Sequence, residues 1–273
     1  MKATAVSTEP VSPPAASASR RIASGGWSRG LLGILLVAAL WEITARSVPA
    51  LSGFMPPLTV AIPRLIRLLL VGSTWTALGQ TALTWAVAMA VGTVLAVPTG
   101  LLIGRSVWLQ RATKVVLEIF KPVPPVVFIP PMVLLFGTTQ SMKIVLVSYA
   151  VFWPVLIQSI AGMESIDPVA RQTVVVFRIR PLDRFRHFVL PAAWPYVITG
   201  LRIAASLALI ATVVTELVGG ANGIGEKIGV AQIENVNTDV FALVLLTGVL
   251  GLVVNRTFDR LERTTLEWHS GRS

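Results

Sequence analysis

Apolar residues run through this chain in long blocks without strand-like alternation, and short polar stretches separate them. Six blocks approach or reach the roughly 20 mainly apolar residues a bilayer-crossing helix needs: about Leu31 to Ala45, Ala82 to Gly104, Val115 to Gly137, Ile144 to Gly162, Tyr196 to Val218 and Phe241 to Val254. Barrel strands alternate apolar with polar positions and are only about ten residues long. The pattern therefore predicts an all-α integral membrane protein with about six transmembrane helices.

Three stretches depart from simple spans. Leu58 to Leu70 places Leu58, Ile62, Leu65, Ile66 and Leu69 at helical spacing, with Arg64 and Arg67 set away from most of them. That is the period of an amphipathic helix lying on an interface or packing on the bundle, and both remain open. Thr76 to Trp85 leads into the second span, whose Gly92, Gly100 and Gly104 would let a neighbouring helix approach closely. The third block carries Pro122, Pro124, Pro125, Pro130 and Pro131. Each removes a backbone donor and disfavours helical geometry before it, so a regular helix is excluded there. Broken backbone at membrane depth must be buried in protein or line a wet cavity. The alternative is an interfacial turn before a shorter span.

The composition agrees, with 54% hydrophobic and 13% charged residues. A net charge of +10 invites a nucleic-acid partner, but its distribution follows membrane sidedness instead. With the N-terminus inside, the basic residues of the N-terminal segment, of the loops around Arg111 and Arg180, and of Arg256 to Arg272 are cytoplasmic. Only Arg46, Arg64, Arg67, Lys143 and Lys227 fall outside. The positive-inside rule thus puts both termini and the loop around Arg180 in the cytoplasm.

There is no cysteine, and the two histidines, His187 and His269, are far apart in sequence, so no metal site is expected. No G-x-x-x-x-G-K-[ST] occurs, which leaves the chain without the phosphate cradle of a P-loop ATPase. The glycines from Gly219 to Gly225 miss the dinucleotide spacing and follow no strand, so they read as an outer turn. Ile224 to Ile233 is expected to form a short helix dipping back towards the membrane.

Residues 1–28, rich in Ala, Ser and Pro, are expected to form a disordered cytoplasmic tail. Residues 29–53 hold the first helix and an outer loop. Its apolar core is short enough for a signal peptide with a poor cleavage candidate at Val48-Pro49-Ala50. Glu42 with Trp27 and Trp41 fits a retained, tilted helix better. Residues 54–268 form the main domain, and 269–273 a C-terminal tail.

Val169 to Pro195 carries five arginines and a histidine between hydrophobic blocks. It splits at Arg180-Pro181, because the residue before a proline avoids helical geometry while proline suits a helix's first turn. Two short helices are predicted. Val169, Val176 and Phe177 form the apolar side of the first; Leu182, Phe185, Phe188 and Val189 form that of the second. Such a pair could lie on anionic lipid; its length and the Leu190-Pro191 exit favour a protein partner.

Lys121 to Gly137, Phe152-Trp153-Pro154-Val155, Ile166-Asp167-Pro168, Leu190-Pro191-Ala192-Ala193 and Thr199-Gly200-Leu201-Arg202 together resemble the permease subunit of binding-protein-dependent ABC importers. The branch most similar is the sulfonate, taurine and nitrate group, and the resemblance covers about Phe54 to Trp268. It implies a type I importer permease fold with a cytoplasmic coupling-helix loop. It also implies a homodimer, two ATP-binding subunits carrying ATP and Mg, and an extracytoplasmic substrate-binding protein. No cofactor or enzymatic activity is implied on this chain.

In that family the loop before Leu-Pro carries an EAA motif that docks on the ATPase. Counted back from Pro191, the motif falls on Gln172, Thr173 and Val174, and its glycine position on Arg178. Either the turn is right-handed and shifted towards Pro181, or coupling differs in detail. The coupling set implied is Gln172, Thr173, Val174, Phe177, Arg178, Arg180, Pro181, Phe185, Leu190 and Pro191.

Polar groups inside spans suggest function. Candidate pathway residues are Glu118, Lys121, Gln158, Arg202, Ser206, Thr212, Thr215 and Glu216. Arg202 and Glu216 are fourteen residues apart on one span, roughly 21 Å, so they cannot pair; each could instead snorkel to its own membrane face. A secondary transporter or a non-transporting membrane scaffold or receptor are the alternative functions.

Overall fold

The computed structural model describes residues 26–51 and 53–270, and no strand occurs among them. The expected tail over residues 1–28 lies almost wholly outside the described residues. Helix α1 (Gly26–Ser47) leads through a short 3-10 turn to α2 (Leu58–Leu69) and α3 (Gly72–Gly104). Then come α4 (Val107–Phe120), a 3-10 turn at Pro125–Phe128, α5 (Ile129–Phe136) and α6 (Gln140–Glu164). The chain continues through α7 (Pro168–Val176), α8 (Pro181–Arg184), α9 (Leu190–Gly219), α10 (Ile224–Ile233) and α11 (Asn237–Ser270). Five helical stretches are long and apolar enough to cross a membrane; α4 and the segment Pro125–Phe136, bent by 76° at their break, pass the same test only when taken together, as a broken span or a re-entrant pair.

The bundle is built around α3, α6 and α9. Ala88, Ala96, Val147, Val151, Val155, Leu156, Ala204 and Ala208 form its main core. In lipid, close packing rather than removal from water holds such helices together, so small residues at the contacts matter most. Gly92, Gly100 and Gly104 form one stripe on α3. A methyl group at Gly100 would stand 2.5 Å from Ser159 Cβ and 2.8 Å from the Leu156 carbonyl; one at Gly92 would stand 2.7 Å from Val151 Cβ. The α3–α6 contact is therefore closed to larger side chains at these positions.

Several elements extend past the expected limits. Helix α3 begins ten residues before Ala82, and α11 runs well beyond Val254 to Ser270, into the segment assigned to a tail. Arg, Glu and Thr after Val254 contain no breaker, and Asp259 and Glu262 are held by Arg202. Helix α2 packs on the bundle: Leu65, Leu68 and Leu69 meet Ile224, Ile228 and Leu243. Arg64 donates two bonds to Asp239 at the start of α11, Nε to Oδ1 at 2.5 Å and Nη2 to Oδ2 at 2.8 Å. That bidentate pair, chiefly through its hydrogen bonds, raises the Arg64 guanidinium above its ordinary pKa. Helix α1 stays mostly exposed; Trp41 meets Phe241 edge-on and donates Nε1–H to the Pro56 carbonyl, and Glu42 and Arg46 hydrogen-bond Thr59 of α2.

Candidate functional site

The loop between α6 and α9 excludes one of the two alternatives left open and corrects one expectation. Arg178 has φ +48°, so the turn is left-handed rather than right-handed. The Ile179 N–H bonds back to the Val174 carbonyl at 3.4 Å, the six-to-one closure of a helix end that normally places glycine at the left-handed position. Arginine accepts here the geometry glycine tolerates, at a cost of about 1–2 kcal/mol. Secondly, α8 is not a separate short helix. It runs through a π turn at Phe185–Val189 straight into α9, one helical stretch from Pro181 to Gly219. Pro191 lacks an N–H, and the widened turn just before it, with Leu190 N–H bonded to the Phe185 carbonyl, absorbs the missing bond.

The predicted apolar side of this second helix divides. Phe188 and Val189 pack inward on Leu101, Met163, Ile166 and Ala193. Leu182 stays 75% exposed, as do Val176 (77%) and Phe177 (74%) across the turn. Of the EAA-position residues, Val174 is buried while Gln172 and Thr173 are exposed. Arg180, Pro181 and Phe185 are also exposed, and Leu190 and Pro191 sit at the root of α9. The loop thus presents apolar side chains among arginines at the end of a helical stretch continuous with a core helix.

The proline-broken segment between α4 and α5 lies against α6. In an unbroken helix the Phe120 carbonyl would accept from residue 124, which is proline. The Val123 N–H at 3.1 Å and Tyr149 Oη at 2.9 Å donate to that carbonyl instead. Phe120 stacks on Trp153 with 10° between the rings, and Phe128 meets Tyr149 edge-on. These contacts hold the break open as a cavity of about 330 Å³, lined by Lys121, the prolines, Tyr149, Trp153, Leu207, Ile210, Val214 and Thr215. A second cavity of about 470 Å³ shares Lys121 and adds Arg111, Lys114, Glu118 and Glu164.

Of the pathway candidates, the structure brings together Lys121 and Thr215 in the first cavity and Glu118 and Lys121 in the second. The others lie elsewhere. Gln158 packs where α6 approaches Gly200 of α9. Thr212 is buried and bonded back to the Ala208 carbonyl at 2.7 Å. Ser206 is exposed on α9. Arg202 is held by Asp259 and Glu262 at 2.5 Å each, rather than left free for headgroups.

Glu216 reaches no outer surface either. It is fully buried, with Lys143 Nζ 3.3 Å from Oε1, Thr81 Oγ1 donating to Oε2 at 2.8 Å and Gly225 N–H at 3.1 Å. Lys143, read from sequence as an outer loop cation, is equally buried and also donates to the Asn222 carbonyl at 2.5 Å. Gly223 and Gly225 have no room for a side chain beside this carboxylate. The network joins α3, α6, α9 and the turn into α10. Tyr149 and Trp153 were also outside the sequence candidates; their signal was position, two aromatics one helical turn apart on the span that follows the proline cluster. No cluster of His, Cys, Asp and Glu able to hold a metal occurs among the described residues.

Residues 96–266 match the family model described as binding-protein-dependent transport system inner membrane component, more than half of the chain. The taurine transport system permease protein of Escherichia coli (strain K12) is 27% identical over 251 residues, covering 89% of each chain. The bicarbonate transport system permease protein of Synechocystis sp. (strain ATCC 27184 / PCC 6803 / Kazusa) is 28% identical, covering 86% of each. A nitrate import permease protein of Leptolyngbya laminosa is 30% identical over 170 residues, 62% of this chain and 61% of its own. In structure, the MetNI methionine ABC transporter in an inward-facing conformation superposes with a TM-score of 0.60 at 20% identity, over 70% of this chain and 95% of the other. The fold is thus that of a type I ABC importer permease. The chain belongs to the inner membrane components of binding-protein-dependent transport systems: it is a multi-pass permease, in a family whose ATPase is a separate subunit.

Proposed function

We propose that this chain forms the solute pathway of an ATP-driven importer, acting as a homodimer with two ATP-binding subunits and an extracytoplasmic binding protein. ATP and Mg belong to the partner subunits. Both termini and the Arg178 loop face the cytoplasm, a placement supported by the bias of basic residues to those segments. Closure of the ATPases moves the loop, and the continuous helix from Pro181 to Gly219 carries that displacement to the core, rocking the pathway between inward-facing and outward-facing states. The cargo is a small sulfonate or another oxyanion, a reading supported by the taurine, nitrate and bicarbonate systems to which the chain is similar. A secondary transporter or a scaffold is not favoured.

The observation that carries this reading is the exposure of Val176, Phe177 and Leu182 on a loop fused to a core helix. Apolar residues held out on a short basic loop mark a contact surface, and the separate ATPase of the family is the protein partner such a surface would take. Affinity purification of the tagged chain from its own membranes, with mass spectrometry, tests it. A P-loop ATPase in equimolar amount is expected. Solute uptake that survives ATP depletion with no such subunit attached would overturn it.

A further inference from the structure

The cavity beside the broken span has a chemistry narrower than its family's range of oxyanions. Lys121 is exposed on the segment between α4 and α5, and its ammonium has no ion-pair or hydrogen-bond partner among the described residues. Glu118, the nearest carboxylate in sequence, lies 3.8 Å from Lys114 instead. A cation within a span is costly unless it meets water or an anion. Lys121 lines both the aromatic cavity and the charged one, so it stands where the two meet.

The remaining wall is of another kind. Trp153 and Tyr149 meet edge-on at 5.7 Å, and with Val214, Leu207 and the prolines they offer flat apolar surface. The Tyr149 hydroxyl is already committed to the Phe120 carbonyl. At about 330 Å³ the space falls at the small end of organic ligand sites, which run from about 300 to 1,000 Å³. A bare inorganic oxyanion would answer Lys121 and leave the aromatic wall unused. A neutral apolar molecule would leave the charge unanswered.

We propose that this cavity recognises organic anions with a flat apolar body, such as aryl sulfonates or aryl carboxylates. The acid group meets Lys121 and the ring lies against Tyr149 and Trp153. The inference rests on the pathway reading given above and names its substrate class.

Equilibrium binding of radiolabelled benzenesulfonate to the full-length chain, in nanodiscs of zwitterionic lipid and without the binding protein, tests it. Saturable binding is expected, displaced by unlabelled benzenesulfonate at concentrations about tenfold lower than by ethanesulfonate or nitrate. Lys121→Gln weakens it about tenfold and Lys121→Arg restores it. Trp153→Leu removes the preference for the aryl over the alkyl sulfonate, while Trp153→Phe keeps it. Absent saturable binding, equal displacement by nitrate, or an indifferent Lys121→Gln overturns the proposal. So does loss of binding when phosphatidylglycerol is added to the discs, since Lys121 would then be a lipid-headgroup contact. Failure of the importer reading is separately visible as a missing ATPase partner, which this measurement does not register.

Discussion

Lys143 and Glu216 face each other across α6 and α9 at 3.3 Å, 1% and 0% exposed. Their charges are mutually compensated, and Thr81, Gly225 and the Asn222 carbonyl satisfy other atoms of the pair. Removing one partner alone strands a charge, which costs about 3–5 kcal/mol, whereas replacing both by apolar groups of similar volume is often near neutral. Glu216→Leu and Lys143→Met should each lower the thermal midpoint of the detergent-solubilised chain sharply. The double substitution should recover most of that loss. A loss in the double variant equal to the sum of the two single losses would show that the pair is not coupled.

The stripe of glycines on α3 makes a sharper contrast. Gly100→Val would drive side-chain atoms into Ser159 and the Leu156 carbonyl, with overpacking of about 1–3 kcal/mol expected. Gly79 lies on the same helix with nothing within 4 Å of an added methyl, so Gly79→Ala should stabilise, by up to about 1 kcal/mol. Fluorescence-detected gel filtration after heating compares the two directly; a like response from both would refute close approach as the reason for Gly100.

Arg178 supplies a test of backbone strain. At φ +48° a side chain pays roughly 1–2 kcal/mol that glycine avoids, offset in part by glycine's greater unfolded-state freedom. Arg178→Gly should therefore raise thermal stability by up to about 1 kcal/mol, and Arg178→Val should lower it. The same thermal assay decides, and a destabilised glycine variant would mean that the arginine side chain contributes contacts outweighing its strain.

How much of this was legible in the sequence depended on whether a signal was local. The proline cluster announced a broken segment because each proline deletes its own donor, and α10 was found at Ile224–Ile233 because a glycine-rich turn precedes it. Helix limits were harder. Nothing in Phe185 to Val189 distinguishes a helix end from a π turn that lets the helix pass Pro191. The ion pairs were illegible for a different reason. Lys143 and Glu216 are 73 residues apart, and Arg202 and Glu262 are 60 apart, so only the packing of α6, α9 and α11 reveals that these charges are spent on one another. Arg178 was legible as an anomaly but not in sign, since the choice between a left-handed and a right-handed turn is settled by the Ile179 to Val174 closure.

Phe177 separates stability from coupling. Its ring is 74% exposed, so Phe177→Asp removes almost no packing inside the chain and should change stability by no more than about 0.5 kcal/mol. If the loop docks in an apolar groove of the ATPase, the same change desolvates a carboxylate in the contact, a cost of several kcal/mol that only the complex feels. The purified variant should therefore melt with the parent chain yet lose its ATPase partner in affinity purification. Leu182→Asp, at the other side of the turn and 75% exposed, should do the same. Thr264→Asp, exposed on α11 and outside the loop in sequence, should leave the partner bound. Retention of the ATPase by both loop variants would place its docking surface elsewhere on the chain.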